Sequence, residues 1–297
     1  MIESTTPEAR RAGYVHSVAA ALCSAGYLFP YKSAARLAAP GVLAYALLIV
    51  AALSSSALSL WQLRRGPGPR WDRTFWTTSS ALALLAISGN LCGAQAVSRL
   101  EPAIASLLLR TEIVFVGALG ALILGERVSG GLMAGAALAL GGLAVMRWPL
   151  ALDQAGTGAL WALGGAASFG LMQVLTRRVI GGISPVAVNT CRLWIAVALW
   201  SLLPGVVSGA LTRGGDFWAL VALAGLLGPF LGRLLIMYSL RSLRAAHSAL
   251  LLLLAPVFAF LIGYVGYGSV PRGAELVGGA LMLVGIALPS LARPADE

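Results

Sequence analysis

Residues 107–125, LLLRTEIVFVGALGALILG, return 143 positions later as residues 250–268, LLLLLAPVFAFLIGYVGYG. The correspondence runs without a gap from residues 91–145 onto residues 234–288. Matching leucines carry little weight in so apolar a chain, but glycines that keep one register do. The paired glycines are Gly120 and Gly263, Gly125 and Gly268, Gly130 and Gly273, Gly135 and Gly278, and Gly142 and Gly285. The chain therefore contains a long internal repeat, as expected of a protein built from two similar halves.

The composition is that of a membrane protein. Hydrophobic residues make up 59% of the chain and charged residues 11%, whereas a soluble domain carries roughly 25% charged residues. The mean hydropathy is +0.86. About 20 apolar residues cross the bilayer as a helix. The chain shows ten such runs, numbered here as spans 1 to 10: 13–31, 40–63, 75–97, 102–124, 130–146, 156–175, 185–207, 217–240, 245–267 and 273–291. We expect an all-α membrane protein with ten transmembrane helices and no soluble domain.

The basic residues predict the orientation of these spans. Ten crossings place both termini on one side, where 12 of the lysines and arginines near span ends also fall, against 6 on the other side. The positive-inside rule therefore predicts cytoplasmic termini in a bacterial inner membrane or other plasma membrane. The net charge of +10 is explained by loops that face anionic lipid headgroups, so it does not indicate nucleic-acid binding. Arg10 and Arg11 before span 1 also permit a signal peptide, but further spans follow at once.

Five spans per repeat is an odd number, so the second half must enter the membrane from the opposite face. We predict two inverted five-helix repeats, residues 13–146 and 156–291, with short cytoplasmic tails at residues 1–12 and 292–297. Inverted halves give alternating access a simple basis, because exchanging their conformations opens the other face at similar energy.

Three features stand out along the spans. The run Leu250–Phe258 in span 9 is rich in leucine and contains Pro256, Gly125 and Glu126 close span 4, and Arg192 lies early in span 7. In these features the chain resembles the EamA-like ten-helix branch of the drug/metabolite transporter superfamily, which has a similar leucine-rich stretch in span 9, a Gly-Glu that closes span 4 and often an arginine early in span 7. The resemblance covers residues 13–291 and depends on the order and spacing of motifs that are individually weak.

The chain also departs from the family pattern. Ile113 replaces a proline that is common in the first half, and Ser269 replaces the second glutamate. The counterpart of Arg192 in span 2 is missing. The resemblance implies a secondary transporter that exports amino acids and related metabolites, as many members do, some of them by exchange with protons or other substrates.

Ionisable residues inside the spans are the strongest candidates for function. A charge near the bilayer centre costs about 2.5–3.5 kcal/mol on insertion scales, so it needs a partner or a wet cavity. Four residues qualify, namely Arg110, Glu112, Arg192 and Arg233. Arg110 lies on a face of small residues, and Glu112 lies about 200° around the same helix, so the two cannot pair. Glu112 is a proton site or pairs with Arg192 or Arg233, and Arg192 either joins such an ion pair or snorkels toward the membrane surface.

The repeat itself indicates where a binding site lies. Arg233 falls on the position equivalent to Asn90, and two pseudo-symmetric polar positions predict a site between the halves. Ser24 in span 1 corresponds to Ser168 in span 6, and Tyr27 shares the inward face of Ser24. A helix-packing seam would explain the two serines equally well, and snorkelling is the alternative for Arg233. We expect a substrate cavity with contacts from spans 1, 3, 4, 6, 8 and 9, contributed by Ser24, Tyr27, Asn90, Arg110, Ser168 and Arg233.

These observations favour a secondary transporter over an enzyme. The sequence has neither a His-Glu-x-x-His zinc motif nor a nucleotide-binding Gly-x-x-x-x-Gly-Lys-Ser/Thr motif, and its three cysteines lack metal-site spacing. We expect no cofactor and no metal, and a chain that functions among membrane lipids as a monomer. Three intramembrane arginines against one glutamate favour an anionic or zwitterionic substrate, and an amino acid fits the family best. The alternatives are a sugar-phosphate or other organic-anion exchanger and a membrane scaffold that transports nothing.

Overall fold

The computed structural model describes residues 6–66, 68, 71–100, 102–146, 148, 156–267 and 272–291. Within these residues the secondary structure is helical and includes no strand. The helices are α1 Pro7–Ala34, α2 Pro40–Leu63, α3 Arg73–Arg99, α4 Pro102–Arg110, α5 Glu112–Leu124, α6 Gly130–Met146, α7 Gly156–Val179, α8 Pro185–Ser201, α9 Val206–Leu211, α10 Gly215–Gly225, a π-helix Leu226–Gly232, α11 Arg233–Ser239, α12 Ala245–Leu252, α13 Ala255–Tyr267 and α14 Gly273–Leu291.

The helices follow the predicted spans closely. In the described part of the chain, seven continuous helical stretches are long and apolar enough to cross a membrane, and α6 and α14 are shorter apolar helices. These nine, together with the 17-residue helix α8, which carries Arg192, form an all-α membrane fold of two five-helix repeats. The predicted tail 292–297 and residues 1–5 of the predicted N-terminal tail lie outside the described residues.

Two predicted boundaries differ from the structure. Helix α1 begins at Pro7, inside the predicted tail, because proline fits the first helical position and the Thr6 hydroxyl accepts a hydrogen bond from the Ala9 amide at 3.3 Å. Span 7 was expected to reach residue 207, but α8 ends at Ser201. Pro204 lacks an amide hydrogen, and Gly205 has a positive φ of 74°, so the chain turns there before α9.

Both repeats break their fourth helix at the same place. The break between α4 and α5 falls at Thr111, and the break between α12 and α13 includes Leu254, the equivalent position 143 residues later. Pro256 explains the second break, because it cannot donate to the carbonyl of Leu252. In the first repeat the Thr111 hydroxyl donates to the Leu108 carbonyl at 2.6 Å, so a side-chain hydrogen bond accompanies the break where proline is missing.

The contacts between helices follow the two-fold repeat. Helix α1 packs against α10 to α13, which form spans 8 and 9, while the equivalent helix α7 packs against α3, α4 and α5, which form spans 3 and 4. The equivalent helices α2 and α8 pack against each other, as do α6 and α14. Each half therefore docks its first helix into the other half, and the central cavity lies between them.

Helices α6 and α14 approach each other through glycines that are equivalent in the repeat. A Cβ atom on Gly142 would lie 2.5 Å from the Gly278 carbonyl oxygen, and a Cβ atom on Gly285 would lie 2.6 Å from the Gly135 carbonyl oxygen. Small residues allow such close backbone contact in membranes, where packing replaces the hydrophobic effect as the main force between helices.

We expect Gly142→Val to lower the free energy of unfolding by about 1–3 kcal/mol, because the added methyl groups force the two helices apart. Thermal unfolding of the purified protein in detergent would measure the loss. Gly141→Val is the matched control, since a Cβ atom there would meet no other helix of the described structure within 4 Å. Equal melting temperatures for the two variants would contradict a close contact between α6 and α14.

Candidate functional site

A cavity of about 510 Å³ lies between the two halves of the protein. Its walls come from α1, α2, α3, α4, α5, α7, α8, the π-helix and α11. Five of the six predicted contact residues line it, namely Ser24, Tyr27, Asn90, Arg110 and Arg233. Glu112 and Arg192 line it as well. All four intramembrane ionisable residues identified from the sequence therefore border one space.

Ser168 is the exception among the predicted contacts. Its hydroxyl donates to the Gly164 carbonyl at 2.9 Å and accepts a hydrogen bond from Ser88 at 3.2 Å. These bonds lie in the contact between α7 and α3, and the cavity wall on α7 is formed by Phe169 and Met172 instead. Ser168 therefore does not line this cavity in the structure, and the alternative of a helix-packing seam describes its position.

The expected set of lining helices also needs correction. Residues of α2 and α8, which are spans 2 and 7, form part of the wall through side chains such as Leu47 and Trp200. The described lining includes no residue of α12 or α13, although span 9 was expected there. The prediction was based on polar residues inside the spans. Apart from Arg192, spans 2 and 7 contribute apolar side chains to the wall, and an apolar side chain in a membrane helix does not indicate a cavity.

Arg192 is buried and held by neutral oxygen atoms. It is 4% exposed, and its Nε and Nη2 atoms donate to the Asn189 side-chain oxygen at 3.2 and 2.8 Å. Nη2 also donates to the Pro229 carbonyl at 3.4 Å. Asn189 in turn donates to the Ser55 hydroxyl at 3.4 Å. Since Arg192 has no carboxylate within 4.0 Å among the described residues, the expected ion pair is not found, and Arg192 links α8 to the π-helix.

Glu112 is bound by a residue that the sequence analysis missed. The Gln173 amide on α7 donates to Glu112 Oε1 at 3.4 Å. Arg110 and Arg233 are near enough to interact with Glu112 electrostatically. Within the described ranges, however, no nitrogen of either arginine lies within 4.0 Å of a Glu112 carboxylate oxygen. Gln173 is 2% exposed. It is uncharged, so the sequence alone did not indicate that it contacts Glu112.

Arg233 is the arginine with unused hydrogen-bonding capacity. Its Nε and Nη2 atoms are buried and have no hydrogen-bond partner in the part of the chain that the structure describes. A buried donor without a partner costs about 1–3 kcal/mol, and more when it is charged. Native proteins retain such groups where a ligand, ion or water supplies the missing acceptor. Arg233 is therefore the best candidate to contact an anionic group in the cavity.

The backbone before Arg233 is irregular. Leu226–Gly232 forms a π-helix with Pro229 inside it, and the wider turn accommodates a proline that cannot donate to the preceding turn. A Cβ atom on Gly228 would lie 2.6 Å from the Tyr27 ring, so the π-helix is packed closely against the aromatic wall of the cavity. Segments of this kind are frequent at functional sites.

The fold and the cavity together define a class of protein. Two repeated helical halves that enclose a polar, arginine-rich cavity within the membrane are the architecture of a membrane transporter. The chain belongs to the EamA-like transporter family, whose model matches residues 11–148 and 156–291, one match for each half.

Relatives and a solved structure agree with this assignment. The chain is 32% identical over 185 residues to a probable terminal-alkyne amino-acid exporter of Streptantibioticus cattleyicolor, and the match spans 62% of this chain and 62% of that exporter. It is 33% identical over 242 residues to an uncharacterized protein of Pseudomonas aeruginosa, covering 80% and 81% of the two chains. A crystal structure with 20% sequence identity superposes with a TM-score of 0.77 over 97% of this chain and 99% of the other, which supports the fold.

Proposed function

We propose that this protein is a secondary transporter that moves small polar metabolites, amino acids first among them, by alternating access. The observation that carries the proposal is the cavity between the two repeats, which is bordered by three arginines and one glutamate. Its volume of about 510 Å³ falls within the range of small-molecule sites. The similarity to an amino-acid exporter supports both the substrate class and export as the direction.

The charges in the cavity support an anionic or zwitterionic substrate. A carboxylate or phosphate accepts hydrogen bonds from a guanidinium more strongly than a neutral group does. Arg233 has two buried nitrogens that lack an acceptor, and Arg110 lines the same cavity. Glu112 supplies the negative charge that the ammonium group of an amino acid requires. A substrate with one carboxylate and one ammonium would therefore match both kinds of charge.

Transport in proteoliposomes would test this function. Purified protein would be reconstituted with an internal pool of unlabelled solute, and uptake of the labelled solute would be followed in exchange. The panel would hold neutral, acidic and basic amino acids, a sugar phosphate and a neutral sugar. We expect exchange of neutral or acidic amino acids and none of the neutral sugar. A preference for the sugar phosphate would favour the organic-anion exchanger, which the excess of arginines over glutamate supports, and exchange of no solute would favour the scaffold.

Glu112→Gln tests whether this carboxylate carries a proton during transport. The change removes the charge but preserves the size of the side chain and its contact with Gln173. If Glu112 is a proton site, we expect transport by the variant to lose its dependence on pH, because an amide cannot take up or release a proton in this way. Gln173→Glu is a second informative variant, because it places another carboxylate where the Gln173 amide now donates to Glu112 at 3.4 Å. A Glu112→Gln variant with lower thermal stability and an unchanged pH profile would instead assign Glu112 a structural role.

The proposed orientation places both termini in the cytoplasm of a plasma membrane, which is the bacterial inner membrane if the source is bacterial. It rests on the excess of basic residues at the ends of spans on that side. Fusions of an alkaline phosphatase or a fluorescent protein to the C-terminus would test it, since the phosphatase is active outside the cytoplasm and the fluorescent protein inside.

A further inference from the structure

The cavity extends toward one face of the membrane and is closed toward the other. We call the face at which α1 begins the terminal face, and α5, α7 and α11 end there. Tyr31 and Trp200 line the cavity and lie near the ends of α1 and α8 that point to the opposite face. Toward the terminal face, α11 continues from Arg233 past Met237, and Leu240 follows its end; both residues are 0% exposed. The structure is therefore in a state that is open to the opposite face.

A polar cluster joins the two halves at the terminal face. Glu126, which follows α5 in the first half, accepts a hydrogen bond from Arg177 Nε at 3.4 Å and another from the Ala245 amide at 3.1 Å. Arg177 lies in the last turn of α7 and Ala245 begins α12, and both belong to the second half. We call Glu126, Arg177 and Ala245 the terminal-face latch. Its ion pair is the one salt bridge found within 4.0 Å across the described ranges.

The latch is buried and further bonds hold it in place. Glu126 is 7% exposed, so water competes little for its carboxylate, and the N-terminus of α12 favours its negative charge. Arg177 Nη1 also donates to the carbonyls of Leu240 and Arg241 at 2.7 and 3.1 Å. The chain turns sharply into the latch at Gly125, which has a positive φ of 66°. A contact of this kind must break before the halves can separate at the terminal face.

The sequence repeat does not reproduce this latch on the opposite face. The position equivalent to Glu126 is Ser269, which lies outside the described residues. A serine cannot form an ion pair with an arginine, so the equivalent position cannot supply to the opposite face the charged contact that Glu126 makes at the terminal face. The two states of a duplicated transporter have similar energies when the halves are equivalent, and this difference removes the equivalence.

We propose that the terminal-face latch biases the transport cycle toward the state that is open to the opposite face. Glu126 and Arg177 hold the two halves together at the terminal face, and the serine at position 269 gives the reverse state no carboxylate at the equivalent position. The inference rests on the proposed alternating access. Beyond that, the proposal identifies the state that predominates when no substrate is bound and the contact that determines this preference.

Two cysteine reporters would test the latch in the full-length protein. The native cysteines Cys23, Cys92 and Cys191 would first be replaced with alanine. Met237→Cys reports opening at the terminal face, since Met237 is 0% exposed on α11, and Tyr31→Cys reports access from the opposite face. Labelling by a polar maleimide would be timed in lipid nanodiscs, where both faces of the protein are accessible.

We expect Glu126→Gln to raise the labelling rate at Met237→Cys roughly tenfold or more, the shift that follows from losing a hydrogen bond to a charged group. Labelling at Tyr31→Cys should fall at the same time, because the two states exchange. Arg177→Gln should act in the same direction. Arg178→Gln is the matched control, since Arg178 is exposed on the same turn of α7, and it should change neither rate.

Unchanged labelling in the Glu126→Gln variant would overturn the proposal. A rise at both reporters would also overturn it, because it would mean that the variant loosens the whole fold. Neither measurement requires a substrate. Reciprocal labelling in a protein that exchanges no solute would therefore reject the proposed transport function and preserve the latch, whereas normal exchange with unchanged labelling would reject only the latch.

Discussion

Arg233→Gln should abolish most transport and leave the protein as stable as before. The substitution removes a guanidinium whose Nε and Nη2 atoms have no hydrogen-bond partner in the described structure, so folding loses no hydrogen bond of these two atoms. Substrate binding, in contrast, should lose one charge-assisted hydrogen bond or more, which corresponds to about 10- to 150-fold in affinity. Binding of labelled substrate and thermal unfolding would measure the two effects separately.

The control for this variant is Arg36→Gln. Arg36 is exposed beyond the end of α1, so its loss lowers the charge near the cavity mouth without changing the cavity. We expect transport close to that of the unmodified protein. If Arg233→Gln lowers the melting temperature and leaves transport intact, the guanidinium stabilises the fold and the anion contact must lie elsewhere.

Arg110→Gln is expected to give the second large loss. Arg110 lines the cavity at the end of α4, just before the break at Thr111, and Gln preserves polarity while removing the charge. We expect the variant to insert and to remain monodisperse, with transport of an anionic or zwitterionic substrate lowered by about 10- to 150-fold in affinity. Counterflow at several substrate concentrations would separate a loss of affinity from a loss of rate.

The combination of the two changes carries further information. If both arginines bind one carboxylate, the double variant should lose less than the product of the two single losses, because the second change removes a contact already disrupted. If they bind different groups of the substrate, the losses should multiply. A single Arg110→Gln variant that transports normally but unfolds at a lower temperature would place Arg110 in a structural contact.

Much of the fold could be predicted from the sequence. Apolar length sets the spans, and the bounds of α2 and α6 equal the predicted 40–63 and 130–146. Prolines and glycines explain where α8 ends and where span 9 breaks. The break at Thr111 could not be predicted in this way, because Ile113 stands where the family has proline, and only the equivalence of positions 111 and 254 identifies it in hindsight.

The charged residues of the candidate site could be predicted from the sequence. A charged residue inside a membrane needs a cavity or a partner, and Arg110, Glu112, Arg192 and Arg233 do border one cavity. Hydroxyl groups are less informative, because a serine can bond to its own helix at little cost, as Ser168 does. Apolar walls and the partner Gln173 depend on how helices rotate against one another, which a single sequence does not specify.

Each half packs its first helix against the other half, and this arrangement constrains how the protein folds while it is being synthesised. Helix α1 is synthesised before α10 to α13, yet it packs against them. Its buried Ser17 hydroxyl lies 2.5 Å from that of Ser239 and 3.1 Å from that of Ser248, and neither partner exists until most of the chain has been translated. During synthesis the polar face of α1 must therefore stay hydrated, shielded by the insertion machinery or bonded to a temporary neighbour. A nascent chain that stops before residue 215 would expose that face and present it to the cell's quality-control proteases.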